Sequence, residues 1–260
     1  MEIKYYDIGV NLFCKQFSDP DLIIKNAINE GVSCILTGSD MTENMLVSNY
    51  TKNHLCFGTA GIHPHNADQF IDDDIIKLES IITQNPKIVA VGECGLDYDR
   101  MFSSKANQLD CFKKQISLAQ KLKKPMFLHE RSAFEDLVAC FKDKEDICQR
   151  SVVHCFTGGV NELRKYLEMG FFIGITGWIC DDRRAEALRS AVKELPLEKL
   201  LIETDAPYLK PRGIKGLGKI NVPENIKYIT RALAEHMNKS EEEIISNAKK
   251  NTEKLFLVKV

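Results

Sequence analysis

Lys199-Leu200-Leu201-Ile202-Glu203-Thr204-Asp205 is a short apolar run that stops on a carboxylate. The same pattern occurs four more times: residues 55–62 lead to His63, 87–92 to Glu93, 125–128 to His129 and 151–153 to His154. Each run has the length and the β-branched or aromatic content of a buried strand. Residues 3–12, 33–37 and 171–176 read the same way and bring the strands to eight. Helical patterns fall between them. Ser18-Asp19-Pro20 opens a helix over 22–30 with Gly31 at its exit, and Ser103 opens a long segment reaching residue 123. Two more helices, near 222–237 and 241–251, follow the eighth strand, the second with Ser240 and Glu243 spaced as a capping box. Eight strands alternating with helices predict an α/β chain of the TIM-type (β/α)8 barrel class. No repeat, low-complexity tract or Pro/Ser-rich linker interrupts it, so residues 1–260 are expected to form a single domain.

Composition narrows the setting. The 44% hydrophobic content is ample for one large core. No apolar stretch approaches the roughly 20 residues of a membrane span, and Met1-Glu2-Ile3-Lys4 lacks the basic and apolar regions of a signal peptide. Nine cysteines without a CxxC pair suit a reducing compartment, so a cytoplasmic protein without structural disulfides or membrane association is expected. A formal net charge of −2 gives no global attraction to polyanions, and any phosphate binding must come from a local cluster of Lys and Arg.

In barrels of this class the site lies at the C-terminal ends of the strands, where inward side chains and loops converge. Glu93, His129, His154 and Asp205 supply two carboxylates and two imidazoles to that end. A structural core has no reason to collect such a set unpaired, since burying it would cost several kcal/mol by rough estimate. Taken alone, any one strand-end histidine is more often a hydrogen-bonded structural residue; the four together point to a divalent cation. The donor types suit Zn²⁺, Mn²⁺ or Fe²⁺ and, less comfortably, Mg²⁺.

The motifs Asp7-Ile8-Gly9-Val10-Asn11-Leu12, Gly61-Ile62-His63-Pro64-His65, Gly92-Glu93-Cys94-Gly95-Leu96-Asp97, His129-Glu130-Arg131, His154-Cys155-Phe156-Thr157-Gly158 and Glu203-Thr204-Asp205-Ala206-Pro207-Tyr208 resemble, in order and over nearly the whole chain, the TatD family of metal-dependent deoxyribonucleases. Gly174-Ile175-Thr176-Gly177-Trp178 resembles the bacterial branch of that family. The resemblance implies a barrel, divalent metal dependence, and hydrolysis of DNA phosphodiesters, with 3′ to 5′ exonuclease action on single strands. Mg²⁺ is the expected working ion, with Mn²⁺ or Zn²⁺ as alternatives and one or two ions per site; a monomer is expected. Two departures stand out. Gly9 and Asn11 occupy the positions where many members carry a His-x-His pair for a second metal. In Lys219-Ile220-Asn221-Val222-Pro223, isoleucine replaces the arginine usual before the asparagine.

Roles follow as expectations. Glu93, His129 and His154 hold the cation; Asp205 is a further ligand and the general base. His63 contacts the scissile phosphate, protonates the leaving oxygen or joins the metal shell. Glu203, two residues before Asp205 and on the same strand face, orients a ligand imidazole or simply bonds a neighbouring strand end. Arg131 grips a phosphate or pairs with Asp97 or Glu130. Lys210 and Arg212, with Lys215 and Lys219 on a glycine-containing loop, form a phosphate-binding patch or a solvated loop. Trp178 and Tyr208 stack on bases or pack at the rim, and Cys94 and Cys155 serve as core residues. Two rival classes remain. A metal-dependent amidohydrolase acting on a small cyclic amide or ester shares the scaffold, but commonly needs the first-strand His-x-His and a bridging lysine. A non-catalytic binding module is expected to have lost ligands or the base, which this chain keeps.

Overall fold

The computed structural model of the chain describes residues 2–259. Its elements begin with strand β1 (Tyr5–Val10), helix α1 (Pro20–Asn29), β2 (Val32–Leu36), α2 (Met41–Asn53), β3 (Phe57–Ala60), α3 (Asp72–Gln84), β4 (Ile88–Asp97) and α4 (Lys105–Leu122). They continue with β5 (Met126–Arg131), α5 (Phe134–Cys140), α6 (Glu145–Cys148), β6 (Ser151–Val153), α7 (Val160–Met169) and β7 (Phe172–Ile175). The last are α8 (Glu186–Val192), β8 (Leu200–Ile202), α9 (Ile226–Met237) and α10 (Glu241–Phe256). The eight strands follow one another in sequence order, β1 to β8, the topology of the TIM-type (β/α)8 fold. Among the described residues no helix is long and apolar enough to cross a membrane.

Two compact units make up the chain. Of the described residues the first comprises 2–36, 155–168 and 172–259. In it β1 pairs in parallel with β2 and β7 with β8, and Val10 bridges Ala206 just beyond β8. Its strands are buried almost throughout, which is why they read as continuous apolar runs rather than alternating ones. Asp19 caps α1 by accepting from the Leu22 amide, with Pro20 in the first turn, and Gly31 leaves the helix at φ +75°. Ser240 and Glu243 form the capping box of α10, which runs on to Phe256, past the expected end at 251, because Thr252, Leu255 and Phe256 still find buried positions.

The second unit comprises residues 37–154 and 169–171. Here β3, β4, β5 and β6 pair in order, all parallel. β4 ends at Asp97 and β5 at Arg131, beyond the expected ends at 92 and 128. The pairing of β4 with β5 shifts register between Val91 and Cys94, which turns Glu93 out of the regular alternation. Gly92 makes the shift possible: it sits at φ +145°, and a Cβ there would lie 2.3 Å from the Phe127 carbonyl oxygen. A glycine followed by a glutamate reads as a strand end in sequence; in the fold it is a bend within a continuing strand.

Candidate metal centre

Glu93 is buried inside β4, and its Oε1 is the point on which three imidazoles converge. His154 Nε2 lies 2.8 Å away, His129 Nδ1 2.9 Å and His63 Nε2 3.4 Å. Each imidazole is set by backbone. His154 follows β6 and its amide donates to the Leu128 carbonyl, while the Phe127 ring lies 4.5 Å from its own. His129 is within β5, and His63 caps the short 3-10 turn Pro64–Gln69 with its amide bonded to the Ser39 carbonyl. The Glu93 amide donates to the Gly38 carbonyl.

Three imidazole nitrogens aimed at one oxygen exceed its two lone pairs. A cation held among the carboxylate and the imidazole lone pairs resolves that excess, and the donor set, carboxylate oxygen plus imidazole nitrogens, fits a divalent transition metal and, less comfortably, Mg²⁺. His63, Glu93 and His129 offer ligand atoms all within 4.8 Å of one another. Of these, His63 is distinguished by its tautomer. Its Nδ1 accepts the His65 amide at 3.1 Å, so in the neutral ring Nε2 carries the proton and donates. Burial pushes the His63 imidazole down to about 4 against the pull of Glu93, so the neutral form prevails at neutral pH.

His129 is held from both sides. Its Nε2 faces Asp97 Oδ2 at 3.2 Å, the same oxygen that pairs with His65 Nε2 at 2.8 Å. Asp97 Oδ1 accepts the amides of Asp99 and Arg100, and the backbone of Asp97 is clasped by the Gln108 side chain through both its N–H and C=O. The sequence reading gave neither His65 nor Asp97 a place in the site; the signal that could have found Asp97 is its position four residues after Glu93, on a strand taken to stop at Gly92. Burial pushes Asp97 up, but hydrogen bonds from His129 and His65 more than reverse it, leaving the carboxylate well below its usual range. Burial likewise opposes ionisation of Glu93, and His154, His63 and His129 outweigh it, so Glu93 is a carboxylate across neutral pH. Burial lowers His129, yet the Asp97 and Glu93 hydrogen bonds raise it above its ordinary value.

That last shift carries a sign. With its folded pKa raised, protonated His129 contributes stability that is fully present below the unfolded pKa and is lost as pH rises through the folded one. A metal taking the Nδ1 lone pair competes with that proton, so metal affinity is expected to rise with pH up to the raised pKa and to level off above it. Titration calorimetry in two buffers of different ionisation enthalpy should report about one proton released per ion below that pKa; no buffer dependence contradicts the assignment. Asp97→Asn removes the anion that holds the Nε2 proton, and metal affinity is expected to fall about 10–100-fold. An unchanged metal Kd in that variant would show that Asp97 does not orient the ligand.

In the first unit, Asp205 follows β8 in the left-handed region at φ +54°. Its Oδ1 accepts from Asn11 Nδ2 at 2.8 Å, so this amide orients the carboxylate. Asp7, fully buried, accepts the Thr204 amide and hydroxyl and the Gly9 amide, pinning the residue before Asp205. Asp7 and Thr204 are further positioning groups to which the sequence reading gave no role. Glu203 is buried, and its Oε1 accepts the amide of Cys155, the residue after His154. It therefore fixes the backbone at that strand end. Cys94 is fully buried as expected, whereas Cys155 is only half-buried at φ +47°.

Of the expected phosphate contacts Arg131 and Arg212 are exposed and Lys210 is half-buried, and all three are already paired. Arg131 Nη2 bonds Asp99 Oδ2 at 2.9 Å, neither of the acidic partners anticipated for it. Lys210 Nζ donates to the Gly218 carbonyl at 2.7 Å and Arg212 Nε lies 3.2 Å from Asp181. Tyr208 is exposed.

Known proteins resemble this chain over nearly its whole length. The sequence profile described as TatD related DNase matches residues 6–257. The chain is 38% identical over 259 residues to the "3'-5' ssDNA/RNA exonuclease TatD" of Citrobacter rodentium, covering 96% of this chain and 97% of the relative. Among solved structures, a TatD homolog from Escherichia coli K12 is 27% identical with a TM-score of 0.89, all of both chains being covered. A TatD-family hydrolase from Entamoeba histolytica is 26% identical with a TM-score of 0.87, covering 98% of this chain and 99% of that one.

Proposed function

The chain belongs to the family of TatD-related DNases, and from that premise we propose that it is a divalent-metal-dependent exonuclease that removes nucleotides from the 3′ ends of single-stranded DNA. The observation that carries the chemistry is the convergence of His63, His129 and His154 on one oxygen of Glu93. Glu93, His129 through Nδ1 and His154 through Nε2 would hold the cation, with Mg²⁺ as the working ion. When bound, a divalent ion supplies charge neutralisation at the phosphate and an acidified water.

Asp205 is proposed as a further ligand and as the general base that takes the proton of the attacking water. Its support is its place after β8 in the same strand order whose β4, β5 and β6 carry the other ligands. Asn11 orients its carboxylate through one oxygen. His63, neutral and protonated at Nε2, donates a hydrogen bond to a non-bridging oxygen of the reacting phosphate. A neutral imidazole is a poor acid, so the tautomer favours this role over protonation of the leaving oxygen or metal ligation.

Arg131, Lys210 and Arg212 are proposed to contact backbone phosphates of the strand. Their pairs with Asp99, Gly218 and Asp181 are exposed on the cationic side and cheap to exchange. Binding should weaken with salt, and removing one contact, as in Arg131→Ala, should flatten the slope of log K against log salt by about 0.7. An unaltered slope would remove Arg131 from the substrate path.

The reading is tested with single-stranded DNA labelled at its 3′ or 5′ end, incubated with Mg²⁺ or Mn²⁺. Early release of the 3′ label as mononucleotide, blocked by chelator, is expected. Early loss of the 5′ label reverses the polarity, and an intact strand with metal-loaded protein overturns the nuclease reading. A matched RNA strand tests whether the wider substrate range in the relative's name extends to this chain.

A further inference from the structure

Beyond β8 the first unit carries a cavity of about 630 Å³, lined by Trp178, Arg184, Lys210, Pro211, Arg212 and Lys219 among others. That volume lies within the range of about 300–1,000 Å³ typical of small-molecule sites. The cavity is built into the fold. Gly177 lies so close to the loop after β8 that a Cβ would fall 2.2 Å from the Leu209 carbonyl oxygen. The next residue, Trp178, has its amide bonded to Thr176 Oγ1 and lines the cavity. The opposite wall starts at Pro207, two residues after Asp205.

Its charge is organised by one buried carboxylate. Asp181 accepts Arg183 Nε and Nη2 at 2.9 and 2.8 Å and Arg184 Nε at 3.1 Å, and it forms an ion pair with Arg212 Nε at 3.2 Å. Three guanidiniums against one carboxylate leave two positive charges uncompensated within that cluster. Arg183 and Arg184 reach Asp181 from its own loop and Arg212 from the loop after β8, so two segments bring guanidiniums to one carboxylate. Arg184 also lies over the Trp178 ring, its guanidinium carbon 4.0 Å from the centroid. The indole N–H is buried without an acceptor among the described residues. What this side chain offers is therefore its ring, braced by a cation, and an aromatic surface with guanidiniums beside it is how nucleic-acid sites combine stacking with phosphate binding.

We propose that this cavity is a nucleotide subsite, binding one phosphorylated nucleoside with its base against Trp178 and its phosphate on Arg184 and Arg212. The assignment rests on the nuclease reading above and adds to it where one unit of the strand, or the released mononucleotide, sits. Asp181 is a positioning residue: it orients the arginines and gives up part of its pairing to the phosphate.

Trp178 is the sole tryptophan of the chain, so intrinsic tryptophan fluorescence reports on this cavity alone. Full-length protein with chelator, which prevents turnover, is titrated with thymidine 5′-monophosphate, a short oligothymidylate, thymidine and inorganic phosphate. Saturable quenching by the two nucleotides is expected, with thymidine and phosphate each much weaker. Quenching by the mononucleotide and not the oligonucleotide assigns the cavity to the product; the reverse assigns it to the strand. Arg184→Ala and Arg212→Ala should each weaken binding about tenfold, as loss of a charge-assisted contact predicts. Arg184→Lys, which keeps the charge but not the planar stack, should fall between. No saturable change with any phosphorylated probe up to about 10 mM, or equal binding by wild type and both alanine variants, overturns the subsite. Hydrolysis of labelled DNA by the same preparation separates the two readings: cleavage without quenching removes only the subsite, and quenching without cleavage removes only the nuclease.

Discussion

Glu93→Gln is expected to lower kcat/KM by at least about 10³-fold, the largest effect of any single substitution in the chain. The amide keeps the size and one oxygen of the carboxylate and so preserves packing around β4. It removes the anion on which His63, His129 and His154 converge, and it places an N–H₂ donor in a pocket that needs acceptors. Metal affinity should fall with activity, because the only carboxylate among those four residues has gone. Buried imidazoles left without their counter-charge should also change the pH dependence: His129, no longer raised by Glu93, should lose its proton at lower pH. Steady-state kinetics with a metal titration checks both. Retention of activity within tenfold of wild type would place the ion elsewhere.

Asp205→Asn carries the second-largest effect, and its pattern differs. Loss of a general base costs about 10²–10⁴ in rate, and the amide oxygen introduced by the substitution could still accept the Asn11 hydrogen bond seen for Asp205. The loss should therefore appear in kcat, while an ion remains measurable on Glu93, His129 and His154. Equal loss of metal and activity would make Asp205 principally a ligand; undiminished turnover would remove it from the chemistry altogether. Comparing the two variants separates a residue that holds the ion from one that moves a proton.

Much of this was legible in the chain. All eight strands were readable because strands buried on both faces are continuous apolar runs, and the helices announced themselves through Asp19, Pro20, Gly31 and the Ser240–Glu243 box. That Glu93, His129 and His154 come together was readable, because polar residues gathered at the ends of such runs, unlike a single strand-end histidine, point to one place. The rest needed coordinates. That β4 continues to Asp97 depends on a register shift at Gly92 that no periodicity reveals, and with it went the role of Asp97 against His129. The tautomer of His63 depends on one amide, that of His65, two residues on in a 3-10 turn. Arg131 reads as gripping a phosphate or pairing with Asp97 or Glu130, and of the acids near it a side chain of that length reaches Asp99. The convergence of Arg183, Arg184 and Arg212 on Asp181 joins two loops more than twenty residues apart in sequence, a coincidence that only folding creates.

The central claim is that one divalent cation binds Glu93, His129 Nδ1 and His154 Nε2 while His63 stays a hydrogen-bond donor. Anomalous diffraction from a crystal equilibrated with Mn²⁺ tests it directly. The account predicts a peak at roughly 2.0–2.3 Å from those three atoms, with the His63 Nδ1 bond to the His65 amide intact. A peak ligated by His63 in place of His154, or no peak at Glu93 with Mn²⁺ bound elsewhere, would contradict it.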